Sequence, residues 1–375
     1  MSLATRARAT AAQVHAPRTR SDVLVAVAVG LLLAVHAVIF VATLLLAPVT
    51  AVEARSLELL QLPVEAARAL MLPFHALLLG CLFVLGRRVA GRWAGFGSML
   101  AVLALDLRAD PADVVYGPAV ATGGWAAAAV LALVFAVLPR RPRAAAALIG
   151  AASGLAWLVV LALPALLVAL ALRPAASGAA RARLLLGATG AWTATAAGMQ
   201  LIWLARLGAA GWLARADAYL AELRPHALVP WLEQQTIVFG AWHFTPLVTV
   251  SLAAFLFLAA GTGAVRYLVV PLPGEQGPAV LRVLRRFPVE LTTAFLTMLA
   301  FGTWWALSGE TVVVEPMLPV LGAVAPLITA LAYRGAKWLL TVNRFWALCA
   351  VVYLTGLIAA RSTQLVITLV QSFRP

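Results

Sequence analysis

Residues 144–172 read AAAALIGAASGLAWLVVLALPALLVALAL, 29 positions without one charge. At about 1.5 Å per residue, a continuous helix of that length reaches about 43 Å. That is longer than one crossing of a roughly 30 Å hydrocarbon core and too short for two. Gly150, Ser153 and Gly154 lie early in the stretch and Pro164 near its middle, residue types at which helices kink or break. Arg140, Arg141 and Arg143 precede it, and Arg173, Arg181 and Arg183 follow it. Short loops rich in Lys and Arg stay on the cytoplasmic side of a membrane. A single crossing would leave one of these two clusters on the wrong side. The sequence therefore predicts two short, broken or re-entrant helices that return to the side they left. Backbone of that kind survives at membrane depth only where protein buries it or where it lines a cavity.

Outward from this stretch the same pattern repeats. Apolar runs occupy 23–47, 69–86, 93–107, 118–138, 184–205, 237–262, 288–307, 312–333 and 345–370. The loops between them alternate in charge. The N-terminal tail and the turns after residues 86, 138, 172, 262 and 333 hold 20 of the 28 Lys and Arg, while the remaining segments hold eleven of the fourteen Asp and Glu. This predicts an all-α fold: a polytopic α-helical membrane protein of about 10–11 transmembrane helices, with a cytoplasmic N-terminus and the C-terminus outside. Residues 1–21 form a basic cytoplasmic tail, and residues 22–375 form a single polytopic membrane domain. The run from Val23 to Pro48 is too long for a signal-peptide core and reads as an uncleaved anchor. The expected location is the plasma (inner) membrane, as a multi-pass protein.

Composition agrees. The 375-residue chain is 63% hydrophobic and 11% charged, with a mean hydropathy of +0.98. A soluble domain is about 25% charged, so a soluble enzyme, a coiled coil and a disordered chain are excluded. Long apolar runs also exclude an outer-membrane barrel, whose strands alternate over about ten residues. The net charge of +14 is a topology signal and not the footprint of nucleic acid, so no nucleic-acid partner is expected. Cys81 and Cys349 both lie inside apolar runs, which leaves no disulfide framework and no metal-finger spacing. No phosphate-binding glycine loop, HExxH, GxSxG or CxxC motif is present, and neither a cofactor nor a metal is expected. No internal repeat is found.

Chemistry is sought among the acids of the outer segments. The first, PVTAVEARSLELLQLPVEAARAL (48–70), carries Glu53, Glu58 and Glu65 with Arg55 and Arg68. Leu57, Leu60, Leu62, Val64 and Leu70 make it equally an interfacial amphipathic helix with solvated charges. Glu53 lies five residues beyond Pro48 and is the best candidate for a general base beside an arginine that holds phosphate. The second, LDLRADPADVVYGPAV, gathers Asp106, Arg108, Asp110, Asp113 and Tyr116. Such carboxylates suit a divalent cation or sugar hydroxyls, while Asp110-Pro111 reads equally as an N-cap with a first-turn proline. The third, Arg206 to Thr236, balances Arg206, Arg215 and Arg224 against Asp217, Glu222 and Glu233 and adds Trp212, Tyr219, His226 and Trp231. These aromatics serve either as interface anchors or as a sugar-stacking platform. His243, His36 and His75 lie within apolar runs, where an ionisable group is either functional or neutral and hydrogen-bonded.

Three stretches together resemble the GT-C superfamily of integral-membrane glycosyltransferases, which includes polyprenyl-phosphate-sugar-dependent mannosyltransferases. Residues 86–143 are similar to that family's basic turn, short helix, outer acidic loop and following helix with an arginine cluster. Residues 144–174 are similar to its paired short helices. VVVEPMLPVLGAVAPLITALAYRGAKW (312–338) is similar to its late proline-bearing segment, with Glu315-Pro316 where the family often has Arg-Tyr. The resemblance implies a lipid-phosphate-linked sugar donor entering from the bilayer and a catalytic acid in the first outer loop, Glu53 with Glu58 behind it. A second-loop acid would be Asp106 or Asp110. Arg55, Arg68, Arg108 and Arg206 are the cations for the leaving phosphate, and His243 is a further substrate-binding candidate. The partners implied are membrane lipid and a lipid-phosphate-linked sugar. Trp304-Trp305, Trp338 and Trp346 suit contact with lipid or with a protein partner in the membrane. The function expected is transfer of a sugar from a polyprenyl-phosphate donor to a cell-envelope acceptor at the outer membrane face. The alternatives are a non-catalytic membrane subunit or scaffold of an envelope complex, and a lipid or solute transporter.

Overall fold

A computed structural model of the chain describes residues 63–104, 123–173, 177–222 and 288–308, with scattered positions between 23 and 57 and at 345 and 349. The chain divides into two compact units, residues 1–39 and 40–375. In the first, the described positions between Val23 and Val38 are helical, and Val23, Leu24, Val27, Leu31 and Val38 are exposed.

In the second unit every regular element among the described residues is helical. In chain order these are α1 (Val64–Ala90), α2 (Arg92–Ala104), α3 (Gly123–Val137), α4 (Pro142–Ser153), a 3-10 turn (Trp157–Leu161), α5 (Ala162–Leu172), α6 (Gly178–Glu222) and α7 (Val289–Ser308). Within α1, Val64–Val89 has a mean hydropathy of 2.2 and is long and apolar enough to cross a membrane. The expected all-α class therefore holds for the described residues.

Contacts between helices fix their directions. His75 meets Trp125 edge to face at 6.3 Å, and the Arg88 guanidinium donates to the Ala136 carbonyl at 2.7 Å. Sequence order rises together on both helices, so α1 and α3 run parallel. The same holds for α4 and α6. The Thr195 hydroxyl donates to the Ala147 carbonyl at 2.8 Å, and Trp203 Nε1 donates to the Gly154 carbonyl at 2.8 Å. Parallel helices joined through a connecting segment require that segment to run back. The 3-10 turn and α5 are that return, and α6 starts again at the end where α4 began. Trp304 of α7 packs on Trp157 at 6.0 Å and Phe301 clusters with Leu158, which places late α7 beside the start of the return.

Together these directions collect Arg87, Arg88, Arg92, Arg140, Arg141, Arg143, Arg173, Arg181 and Arg183 at one end of the described helices. The distribution of bulk is also distinctive. Small residues fill the inside: Ala126, Ala127, Ala128, Ala129 and Ala132 of α3, and Ala145, Ala146 and Ala152 of α4, are buried. Leu186 (72% exposed), Leu201 (65%) and Ile202 (59%) lie on the outside. Small residues at helix contacts let backbones approach closely, the arrangement that drives association where the surroundings are themselves apolar. Gly150 and Gly154 are points of close approach between α4 and α6. A Cβ on Gly150 would meet the Thr195 hydroxyl and lie 2.6 Å from the Trp192 carbonyl, and one on Gly154 would lie 2.8 Å from Met199 Cβ.

Candidate functional site

The break in the 144–172 stretch lies at Gly154–Ala156, not at Pro164. Ala156 takes an extended conformation (φ −139°, ψ 110°), which carries the chain out of α4. Pro164 is the third residue of α5, which follows the 3-10 turn without a gap, and the helical segment 157–172 runs through it. Turning out of α4 removes the N–H that the Gly154 carbonyl would receive in a continuous helix. Two donors from α6 replace it: Trp203 Nε1 at 2.8 Å and the Arg215 guanidinium at 2.7 Å. Arg215 also stacks over the Trp203 ring, 3.9 Å from its centroid. A cation at the carbonyl end of α4 complements the negative pole of the helix, and both side chains are buried.

Arg215 reaches Gly154 because α6 folds back on itself. Gly208 is non-helical at φ 70°, ψ 175°, a left-handed φ that glycine adopts without penalty. Trp212 Nε1 donates to Gln200 Oε1 at 3.0 Å. In a straight helix these two positions would be about 18 Å apart. The reversal thus returns Arg215 alongside Trp203.

A second feature lies at the arginine end. The α3–α4 turn is tight, with Arg140 and Arg141 N–H groups both donating to the Val137 carbonyl, and Pro142 opens α4 at its first turn. Beside it is a cavity of about 740 Å³ lined by Arg88, Arg140, Arg141 and Thr195 at the polar positions and by alanine, valine and leucine side chains of α3 and α4 elsewhere. Arg88 is held across it by its bond to Ala136, while Arg140 and Arg141 are exposed.

The residues singled out by sequence divide sharply. Glu53, Arg55, Glu58, Asp106, Arg108, Asp110 and His243 lie outside the described residues. Arg68 is buried in the second turn of α1, 2% exposed, one helix face with His75, also buried. Arg206 is exposed two residues before the Gly208 reversal. Each stands far from the arginine end of its own helix: Arg68 is 20 residues from Arg88 and Arg206 is 23 from Arg183, about 30–35 Å along the axis. Sequence reading grouped Arg215 with the outer segment after residue 205 and passed over Trp203. The residues of 209–222 instead form the returning half of α6. The signal available was Gly208, a glycine between two helical runs that each carry a tryptophan and an arginine. The described residues contain no cluster of metal-ligating side chains. Against known proteins, the chain matches no family model, no curated protein and no solved structure.

Proposed function

We propose that this chain is a multi-pass plasma-membrane protein that handles a lipid-linked phosphate, and that its activity is sugar transfer from a polyprenyl-phosphate donor to a cell-envelope acceptor. The observation that carries the membrane reading is the gathering of three arginine-bearing turns at one end, with Arg68 and Arg206 about 30 Å away. That spacing matches a hydrocarbon core. Alanine-rich contacts inside and bare leucine and isoleucine outside support it, as does the side-chain satisfaction of the broken backbone at Gly154.

The transfer chemistry rests on the resemblance to GT-C glycosyltransferases. In this reading Glu53 takes the proton of the acceptor hydroxyl as its oxygen bonds to the sugar's anomeric carbon. The bond from that carbon to the phosphate oxygen breaks, and an outer arginine, Arg55 or Arg206, holds the charge of the departing lipid phosphate. Mass spectrometry of lipid-linked sugars and envelope glycans in a deletion strain tests it. A sugar should vanish from the envelope while its polyprenyl-phosphate form accumulates. Wild-type protein should restore the product and Glu53→Gln should not. An unchanged glycan profile in the deletion strain would sink the transferase reading and leave the membrane reading to be judged on its own by alkaline carbonate extraction.

A further inference from the structure

We infer that the cavity between the ends of α1, α3 and α4 is a binding site for one anionic diacyl phospholipid, its phosphate at Arg88, Arg140 and Arg141 and an acyl chain along α4. The inference rests on the membrane placement proposed above but not on the transferase chemistry. Its polar mouth holds three guanidinium groups and no carboxylate. Arg88 is exposed and bonds the Ala136 carbonyl at 2.7 Å, which turns its guanidinium toward α3 with donors left over for an anion. Arginine forks match the two free oxygens of a phosphodiester. Pro142 at the first turn of α4 points the positive end of that helix at the same place.

Below the mouth the chemistry changes at once. Ala144, Ala147, Leu148 and Ala151 line the cavity at spacings of three, four and seven, a single stripe about 10 Å long on one helix face. Ala136 and Val137 of α3 form the facing wall, and Thr195 is the sole polar side chain beneath the arginines. Its hydroxyl is already directed at the Ala147 carbonyl, at 2.8 Å, so the floor asks for no polar ligand. Inorganic phosphate would fill the mouth and leave the stripe bare. A zwitterionic lipid would bring a cation against three arginines. An anionic phospholipid meets both halves, and the recess, about 740 Å³ and broadly open on one side, leaves its remaining acyl chain free in the surrounding lipid. Basic recesses between helices on the positively flanked side of a membrane are where anionic headgroups concentrate.

The experiment is native mass spectrometry of the full-length protein in detergent, titrated with phosphatidylglycerol, phosphatidylcholine, a C55 polyprenyl phosphate or inorganic phosphate. Wild-type protein should carry one phosphatidylglycerol at least tenfold more tightly than phosphatidylcholine. Arg140→Gln with Arg141→Gln should weaken that binding at least tenfold. Ala147→Trp keeps every charge and fills the apolar stripe, and it should weaken binding similarly. Equal binding of phosphatidylcholine, competition by millimolar inorganic phosphate, preference for the polyprenyl phosphate, or full retention of phosphatidylglycerol by Ala147→Trp would each overturn the proposal. Thermal melting of each variant in detergent separates a lost site from a lost fold, and Ala151→Trp, deeper on the same stripe, serves if Ala147→Trp does not fold. Protein released by alkaline carbonate would instead fail the membrane reading beneath it.

Discussion

Helix α1 and the 142–172 segment are both long, almost wholly apolar and interrupted by a proline, yet one is continuous and the other is broken. α1 runs 27 residues through Pro73. A proline inside a helix removes one hydrogen bond and strains the preceding turn, and α1 tolerates this with Pro73 on its exposed side. In the 142–172 segment the helix runs through Pro164, and the break occurs ten residues earlier at a point without proline. What distinguishes Gly154 is the presence of replacement donors. Trp203 and Arg215 bond the carbonyl that the break releases, whereas the Ala69 carbonyl that Pro73 leaves without its helical donor lies on the exposed side of α1. In an apolar setting an unpaired carbonyl costs several kcal/mol, so the break sits where the rest of the fold can satisfy it.

The strongest way to break that contrast is to remove the charge. Arg215→Met keeps much of the side chain's bulk and deletes the hydrogen bond to Gly154 and the stacking on Trp203. A hydrogen bond to a charged group contributes about 1.5–3 kcal/mol and a desolvated cation–π contact about 1–2 kcal/mol. The expected loss is about 3 kcal/mol, seen as a lower melting temperature in detergent. Arg215→Lys should recover only part of it, since an ammonium does not stack as a guanidinium does. A melting temperature equal to wild type in Arg215→Met would mean that Trp203 alone satisfies the Gly154 carbonyl.

Next in size is the approach that delivers those donors. Gly150→Val places branched bulk where even a Cβ would lie 2.6 Å from the Trp192 carbonyl. The α4 and α6 backbones must then separate, which costs about 2 kcal/mol as overpacking. The bond from Thr195 to Ala147 should be lost with it, and Thr195→Val added to Gly150→Val should cost almost nothing more. Additive losses in this double-mutant cycle, measured by chemical denaturation, would show that the hydroxyl and the glycine act independently. The equivalent change at Gly80 of α1, where an added Cβ meets nothing within 4 Å, should be nearly silent.

Much of this contrast was legible in the sequence, and the illegible part has a physical cause. The charge-free length of 144–172 and its two arginine flanks require the chain to return, and the described helices do return. The all-helical class and the boundaries of α2 and α7 within three residues follow from the apolar runs. Local rules name Gly150, Ser153, Gly154 and Pro164 alike as places for a break and do not choose among them. The break is instead decided by Trp203 and Arg215, 49 and 61 residues away, and no local pattern marks a partner at that distance. Arg215 was misplaced for the same reason: without the reversal at Gly208 it belongs beyond the end of a helix, and with it the side chain comes back inside. Arg88, Arg140 and Arg141 were legible as a topology signal but not as the rim of a cavity, since the parallel pairing of α1 with α3 brings them together.

The smallest expected effect is the one that tests the idea most directly. If Pro164 were the breaker, replacing it with alanine would let α5 extend backward, and the stretch would gain helix toward a single long span. If the break belongs to Gly154, Pro164→Ala changes an exposed residue of a helical segment that already runs through it. Its melting temperature should then stay within the equivalent of about 0.5 kcal/mol of wild type. Accessibility of a cysteine placed at Arg173 to a membrane-impermeant thiol reagent should also be unchanged, because the chain still returns to the end it left. A cysteine at that site that changes sides in Pro164→Ala would restore the proline to the role its position suggests. It would also mean that the tryptophan and arginine bonds at Gly154 follow the break and do not cause it.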